Sequence, residues 1–169
     1  AANKLVHGGV LKPVQFMDYM LGGLFYRFIS ENLANFINDI ERNSGNNDFD
    51  YALLSDKEAE YGKDDIIKAK GFFIFPSELF VNVAKNARNN PNLNETLAKV
   101  FHDIEKSASG TESESDLKGL FDNIDVNSKD LGNTIENRNK QLVDLLESIS
   151  NLNLGDYKNN TIDVFGDTY

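Results

Sequence analysis

The chain contains no cysteine and no tryptophan, and only three prolines and two histidines among its 169 residues. Without cysteine there are no disulfides and no thiolate metal ligands, which fits a reducing compartment. His7 and His102 lie far apart and neither belongs to a His-x-x-x-His pair, so no zinc site is expected, and His102 reads as a helix-surface residue. Serine and carboxylate residues are plentiful, but they have no histidine partner and no strand-turn-helix elbow, so they compose no nucleophilic site. No uninterrupted apolar stretch reaches the roughly 18 residues of a membrane span, and no basic-then-apolar signal opens the chain. The expectation is a soluble, cytoplasmic protein without membrane contact.

Positive charge is also scarce, and unevenly so. The net charge is −10; residues 1–100 carry 13 acidic and 11 basic side chains, residues 101–169 carry 14 acidic and 6 basic. The second part would repel a phosphate backbone, so any nucleic-acid contact falls to the first, where Arg27, Lys63, Lys68, Lys70, Lys85 and Arg88 lie. Lys63, Lys68 and Lys70 are the candidate contacts with DNA or with an acidic partner surface. The plainer reading is that they balance the acidic start of their own helix.

With 40% hydrophobic residues the chain can bury a core as one domain spanning 1–169. Helical patterns run almost throughout. Pro13 suits a first helical turn, and Phe16, Met17, Tyr19, Met20, Leu21, Leu24, Phe25, Tyr26, Phe28 and Ile29 follow so closely that the helix must pass through the core. Leu33, Phe36, Ile37 and Ile40 continue as a narrower stripe. Gly22 and Gly23 each cost about 1 kcal/mol against alanine, which implies a packing notch where another element meets the backbone. They are not a phosphate loop, since no strand precedes them and no Gly-Lys-Ser/Thr ending follows.

Residues 43–50 read as a loop and 55–69 as a second helix, acidic at its start, basic at its end and weakened by Gly62. Asn92 with Glu95, and Asn133 with Glu136, look like capping boxes for two further helices. The first carries Leu93, Leu97, Val100, Phe101 and Ile104 inward, the second Ile135, Leu142, Leu145, Leu146, Ile149 and Leu152. Residues 107–115 form an exposed loop, followed by a short helix marked by Leu117, Leu120 and Phe121. The expected fold is all-α: a compact multi-helix domain with one long N-terminal core helix and at most a short β element near residues 71–75. Residues 1–10 are expected to be irregular.

That short element is the most distinctive run. Gly71, Phe72, Phe73, Phe75, Pro76 and Phe80 form a structural joint rather than a linker: Gly71 opens backbone conformations closed to other residues, and Pro76 biases Phe75 toward extended geometry. Ser77 is placed to cap the helix that follows. Two other motifs fail on inspection. Asp125, Asn127 and Glu136 match positions of a calcium loop, but Lys129 and Asp130 stand where a ligand and the turn glycine are needed. The single Asn90-Pro91 pair is followed by Asn92-Leu93 and reads as a helix cap.

The run Phe16-Met17-Asp18-Tyr19-Met20-Leu21-Gly22-Gly23-Leu24-Phe25-Tyr26-Arg27-Phe28-Ile29-Ser30 resembles the first long helix of the methylation subunits of type I restriction-modification systems. The joint resembles theirs too, as do Leu131-Gly132 followed by Arg138-Asn139 and a leucine-rich helix, and the closing Asp163-Val164-Phe165-Gly166-Asp167-Thr168-Tyr169, similar to the family's bridge into its catalytic domain. The resemblance implies an N-terminal helical domain of an enzyme that methylates the exocyclic amine of adenine with S-adenosylmethionine, on a base flipped from the duplex. It places the connection to the catalytic domain at 162–169 and the cofactor and catalytic residues beyond Tyr169, so no catalytic, cofactor-binding or metal residue is assigned here. Implied partners are the DNA-specificity subunit, a second methylation subunit, the restriction subunit and, in the assembled complex, duplex DNA. Two alternatives remain open: a free-standing helical adaptor with an exposed apolar stripe, and an acidic DNA mimic, for which the first hundred residues are nearly neutral.

Overall fold

The structure is a computed structural model, described here for residues 11–154. His7, the expected irregular start and the motif from Asp163 to Tyr169 lie outside that range. Among the described residues the fold is all-α, with no strand.

Helix α1 (Pro13–Asn43) is the spine. Pro13 occupies the first turn, where its missing N–H costs nothing, and Gln15 Oε1 accepts the Lys12 amide at 2.9 Å. Tyr19, Tyr26, Phe28, Ile29, Leu33 and Ile37 are buried. The inward stripe ends there, contrary to expectation: Ile40, in the last turn of α1, is 49% exposed, and from that turn Arg42 reaches the following loop, donating to the Phe49 carbonyl at 3.0 Å. The glycine notch is where it was expected. A Cβ on Gly22 would overlap Ile124, and one on Gly23 would overlap Ile149.

The expected 55–69 helix is two helices, α2 (Asp56–Glu60) and α3 (Lys63–Lys70), broken at Gly62. Ser55 caps the first, accepting the Glu58 amide at 3.1 Å. Then come α4 (Phe80–Asn86), α5 (Leu93–Ser107), the one-turn α6 (Glu114–Leu117) and α7 (Ile135–Ser150). α1 packs against α7 and α4, and α7 closes the core against α5. Leu97, Val100, Ile104, Leu142, Leu145, Leu146 and Ile149 fill the space between them. Leu120 and Phe121 follow α6 in turns rather than continuing it.

The helix positions were legible; their caps were not. Ser77 lies inside a short 3-10 turn (Pro76–Glu78), and its hydroxyl donates to Asp56 at 2.5 Å instead of capping α4. The Phe80 amide is taken by Ser30 Oγ of α1 at 3.1 Å. Asn92 makes no side-chain cap; Asn139 of α7 reaches across to accept the Asn94 amide at 3.0 Å and to donate to the Pro91 carbonyl at 2.8 Å. The cap of α7 is Thr134, one residue beyond Asn133, accepting from Asn137 at 3.1 Å. Ile135 and Leu152, expected inside, are 54% and 39% exposed, since each lies at or past an end of α7, beyond its packed turns.

Candidate functional site

The joint contains no β element. Gly71 ends α3 in the left-handed conformation, φ 89°, and a Cβ there would overlap Ser113. The extended residues after it need partners for their backbone groups, and side chains supply them. Thr111 Oγ1 donates to the Gly71 carbonyl at 2.7 Å, the Phe73 amide donates to Ser107 Oγ at 2.9 Å, and Tyr51 Oη donates to the Ile74 carbonyl at 2.7 Å. Phe72, Phe73 and Phe80 are buried, and Phe75 is half-buried, edge-on to Phe73 with centroids 4.9 Å apart. Tyr26 of α1 meets Phe80 and Phe101 edge-on at 5.4 and 5.5 Å and donates its hydroxyl to the Glu78 carbonyl. The joint therefore binds α1, α4 and α5 into one packed body.

The three candidate lysines do not form one patch. Lys63 and Lys70 are seven residues apart on α3, so both turn toward the body of the domain. Lys63 Nζ lies 5.3 Å from the Phe75 centroid and 5.9 Å from that of Phe73. Lys70 Nζ donates to Asn32 Oδ1 at 2.7 Å and lies 5.2 Å from the Phe36 centroid; burial pushes its pKa down. Lys68 faces solvent. Elsewhere, Arg27 pairs with Glu31 at 3.0 Å and donates to the carbonyls of Ile149 and Leu152, tying the end of α7 to α1, while Arg88 pairs with Glu147.

A second group beside the joint was missed from sequence. Glu78 is only 7% exposed, and its Oε2 has no hydrogen-bond partner. Lys99 Nζ stands 3.6 Å from that oxygen and 2.6 Å from Asp103 Oδ2. Burial, together with hydrogen bonding to and repulsion from Asp103, raises the Glu78 pKa to about 8 against the pull of Lys99. Asp103 is also penalised by burial, but hydrogen bonds from Glu78 and Lys99 leave it net lowered. The pairing thus favours the protonated form of Glu78 and the ionised form of Asp103. The only trace in the sequence is a glutamate inside an aromatic run. Both acids line a cavity of about 340 Å³, with Lys63, Phe73, Phe75 and Lys106 around it.

The HsdM N-terminal domain family matches residues 1–149. A type I restriction enzyme MpnII methylase subunit from Mycoplasma pneumoniae is 46% identical over 169 residues, covering 95% of this chain and 31% of the relative. The crystal structure of a type I restriction-modification methyltransferase subunit from Streptococcus thermophilus aligns with a TM-score of 0.72 at 21% identity, covering 99% of this chain and 35% of that one. It shares the fold, and this chain spans about a third of the length of both proteins. The chain belongs to the HsdM N-terminal domain family.

Proposed function

We propose that this domain is the front of a type I restriction-modification methylation subunit, an S-adenosylmethionine-dependent DNA adenine-N6 methyltransferase whose chemistry is carried by a further domain. Its own role is to join the methylation subunit to the specificity subunit and to its second copy, in a system that also has a restriction subunit, and to help close the assembly around duplex DNA. The observation that carries this reading is the family match over residues 1–149 together with 46% identity to a methylase subunit. The packed aromatic joint supports it, because a domain that transmits position between subunits must be rigid. As α3 is built, contact with phosphate falls first to Lys68, since Lys63 and Lys70 are held against phenylalanine rings and Asn32. Such contacts would position the enzyme without choosing a sequence.

The test is methyl transfer from labelled S-adenosylmethionine to duplex DNA by the full-length chain assembled with its specificity subunit. Label on the exocyclic amine of adenine at a defined site is the expected result. An intact assembly that transfers no methyl group to adenine overturns it. Lys68→Glu in that assembly should weaken DNA binding and flatten its salt dependence; unchanged affinity across a salt titration removes Lys68 from the interface.

A further inference from the structure

We infer that the face formed by the Tyr51–Leu53 turn, α2 and the Pro76–Glu78 turn docks a basic segment of a partner protein. An apolar side chain of that segment enters the cleft beside Tyr61 and Phe75, while flanking lysine or arginine residues meet the carboxylates of α2 and the start of α3. This rests on the reading above, that the domain works within a multisubunit assembly.

The face is one surface, not scattered residues. The Pro76–Glu78 turn packs against both the Tyr51–Leu53 turn and α2. Asp56 accepts the Ser77 amide at 3.0 Å and the Ser77 hydroxyl at 2.5 Å, and Asn82 Nδ2 donates to the carbonyls of Ala52 and Pro76 at 2.9 and 2.8 Å. On this braced ground stand two large apolar side chains in water: Tyr61, 86% exposed, and Leu53, 81% exposed. Neither contributes to the core, and tyrosine is among the residues that most often anchor interfaces. Beside Tyr61 a cleft of about 450 Å³ is walled by Asp56, Lys57, Glu60, Tyr61 and Phe75.

Charge decides the occupant. Residues 56–65 carry the carboxylates Asp56, Glu58, Glu60, Asp64 and Asp65 against only Lys57 and Lys63. Lys63 lies over the Phe73 and Phe75 rings, and of these two lysines Lys57 walls the cleft, beside Asp56 and Glu60. Such a surface repels a phosphate backbone, which leaves any DNA contact to Lys68 near the far end of α3 and argues against DNA at the cleft, and it repels its own copy, which argues against self-association through this face. A protein segment with basic residues flanking an apolar one complements both features.

The experiment places a photoreactive benzoylphenylalanine at position 61 of the full-length chain, in the enzyme assembled on duplex DNA, and maps the cross-link by mass spectrometry. A cross-link to a protein segment in which lysine or arginine flanks an apolar residue is the expected outcome. In parallel, Tyr61→Ala should weaken the assembly about tenfold or more, and Glu60→Lys should weaken it and reduce its salt sensitivity. Both should leave the thermal midpoint of the chain unchanged, because both side chains are exposed. Cross-linking to DNA, to the second copy or to a segment without basic residues overturns the inference, as does no cross-link combined with wild-type affinity for both variants. If the wild-type chain itself forms no assembly, the parent reading falls and this inference with it; if it assembles, the variants match it and no basic segment is cross-linked, this inference alone falls.

Discussion

Replacing Glu78 with glutamine should make the domain more stable at alkaline pH than the wild type, reversing the usual result of altering a buried polar residue. Glu78 titrates at about 8 in the folded chain against 4.5 as its ordinary value, principally because burial disfavours the carboxylate. A carboxyl whose folded pKa is raised stabilises the fold fully only below its unfolded pKa. As pH rises from about 4.5 the unfolded chain releases a proton that the folded chain keeps, and stability falls until pH passes about 8. One such proton sets a limiting slope of about 1.4 kcal/mol per pH unit. Coupling to Asp103, whose pKa is lowered, spreads the transition, so the loss between pH 5.5 and 7.5 is on the order of 2 kcal/mol. Glutamine has nearly the same shape, carries no charge and can still donate to Asp103, so Glu78→Gln removes the slope while keeping the packing. The assay is urea unfolding followed by far-ultraviolet circular dichroism at pH 5, 6, 7 and 8 for both chains. The stability difference between Glu78→Gln and wild type should grow in favour of the variant as pH rises. Parallel stability curves across this range would show instead that Glu78 is ionised in the folded state and that burial does not hold its proton.

Further consequences follow from the joint and the cross-helix caps. Gly71→Ala and Gly45→Ala both force alanine into positive φ, at 89° and 99°, but only at Gly71 does a side chain, Ser113, occupy the space of the new Cβ. Gly45→Ala should cost about 1 kcal/mol and Gly71→Ala clearly more, measured by thermal unfolding. Tyr26→Phe removes the buried bond to the Glu78 carbonyl and leaves that oxygen without its donor, a loss of about 1–3 kcal/mol with the aromatic contacts intact. Asn139→Ala strips a buried cap from α5 and a donor from the Pro91 carbonyl, and should cost about 2 kcal/mol; hydrogen exchange should quicken first at the start of α5.

The sequence disclosed those features whose cause is local. Continuous apolar residues behind Pro13 required a buried helix, and Gly22 and Gly23 within it required a close neighbour; Gly62 signalled a weak point in the expected 55–69 helix, though not the full break between α2 and α3. It concealed features supplied from a distance. Ser30 takes the Phe80 amide from fifty residues away and Asn139 the Asn94 amide from forty-five, so the local capping signals at Ser77 and Asn92 pointed to bonds that tertiary partners make instead. For the same reason the Gly71 joint looked like a strand: its extended backbone is satisfied by Ser107, Thr111 and Tyr51, not by a neighbouring strand. Of the candidate site, the aromatic joint was legible because phenylalanines crowd together in sequence. The separation of Lys63 and Lys70 from Lys68 followed only once α3 had a position against the body, and Glu78 acquired its raised pKa through burial in the folded core and through Asp103 on a different helix, against the pull of Lys99.

On the proposed function, this domain assembles and positions a methyltransferase without taking part in its chemistry. The most direct measurement compares the full-length chain with one lacking residues 1–169, reading S-adenosylmethionine binding by calorimetry and association with the specificity subunit and duplex DNA by sedimentation velocity. The shortened chain should bind S-adenosylmethionine with unchanged affinity and fail to form the closed assembly. Assembly that survives the deletion, or cofactor binding lost from a remainder that is still folded, would exclude a purely assembling role for this domain.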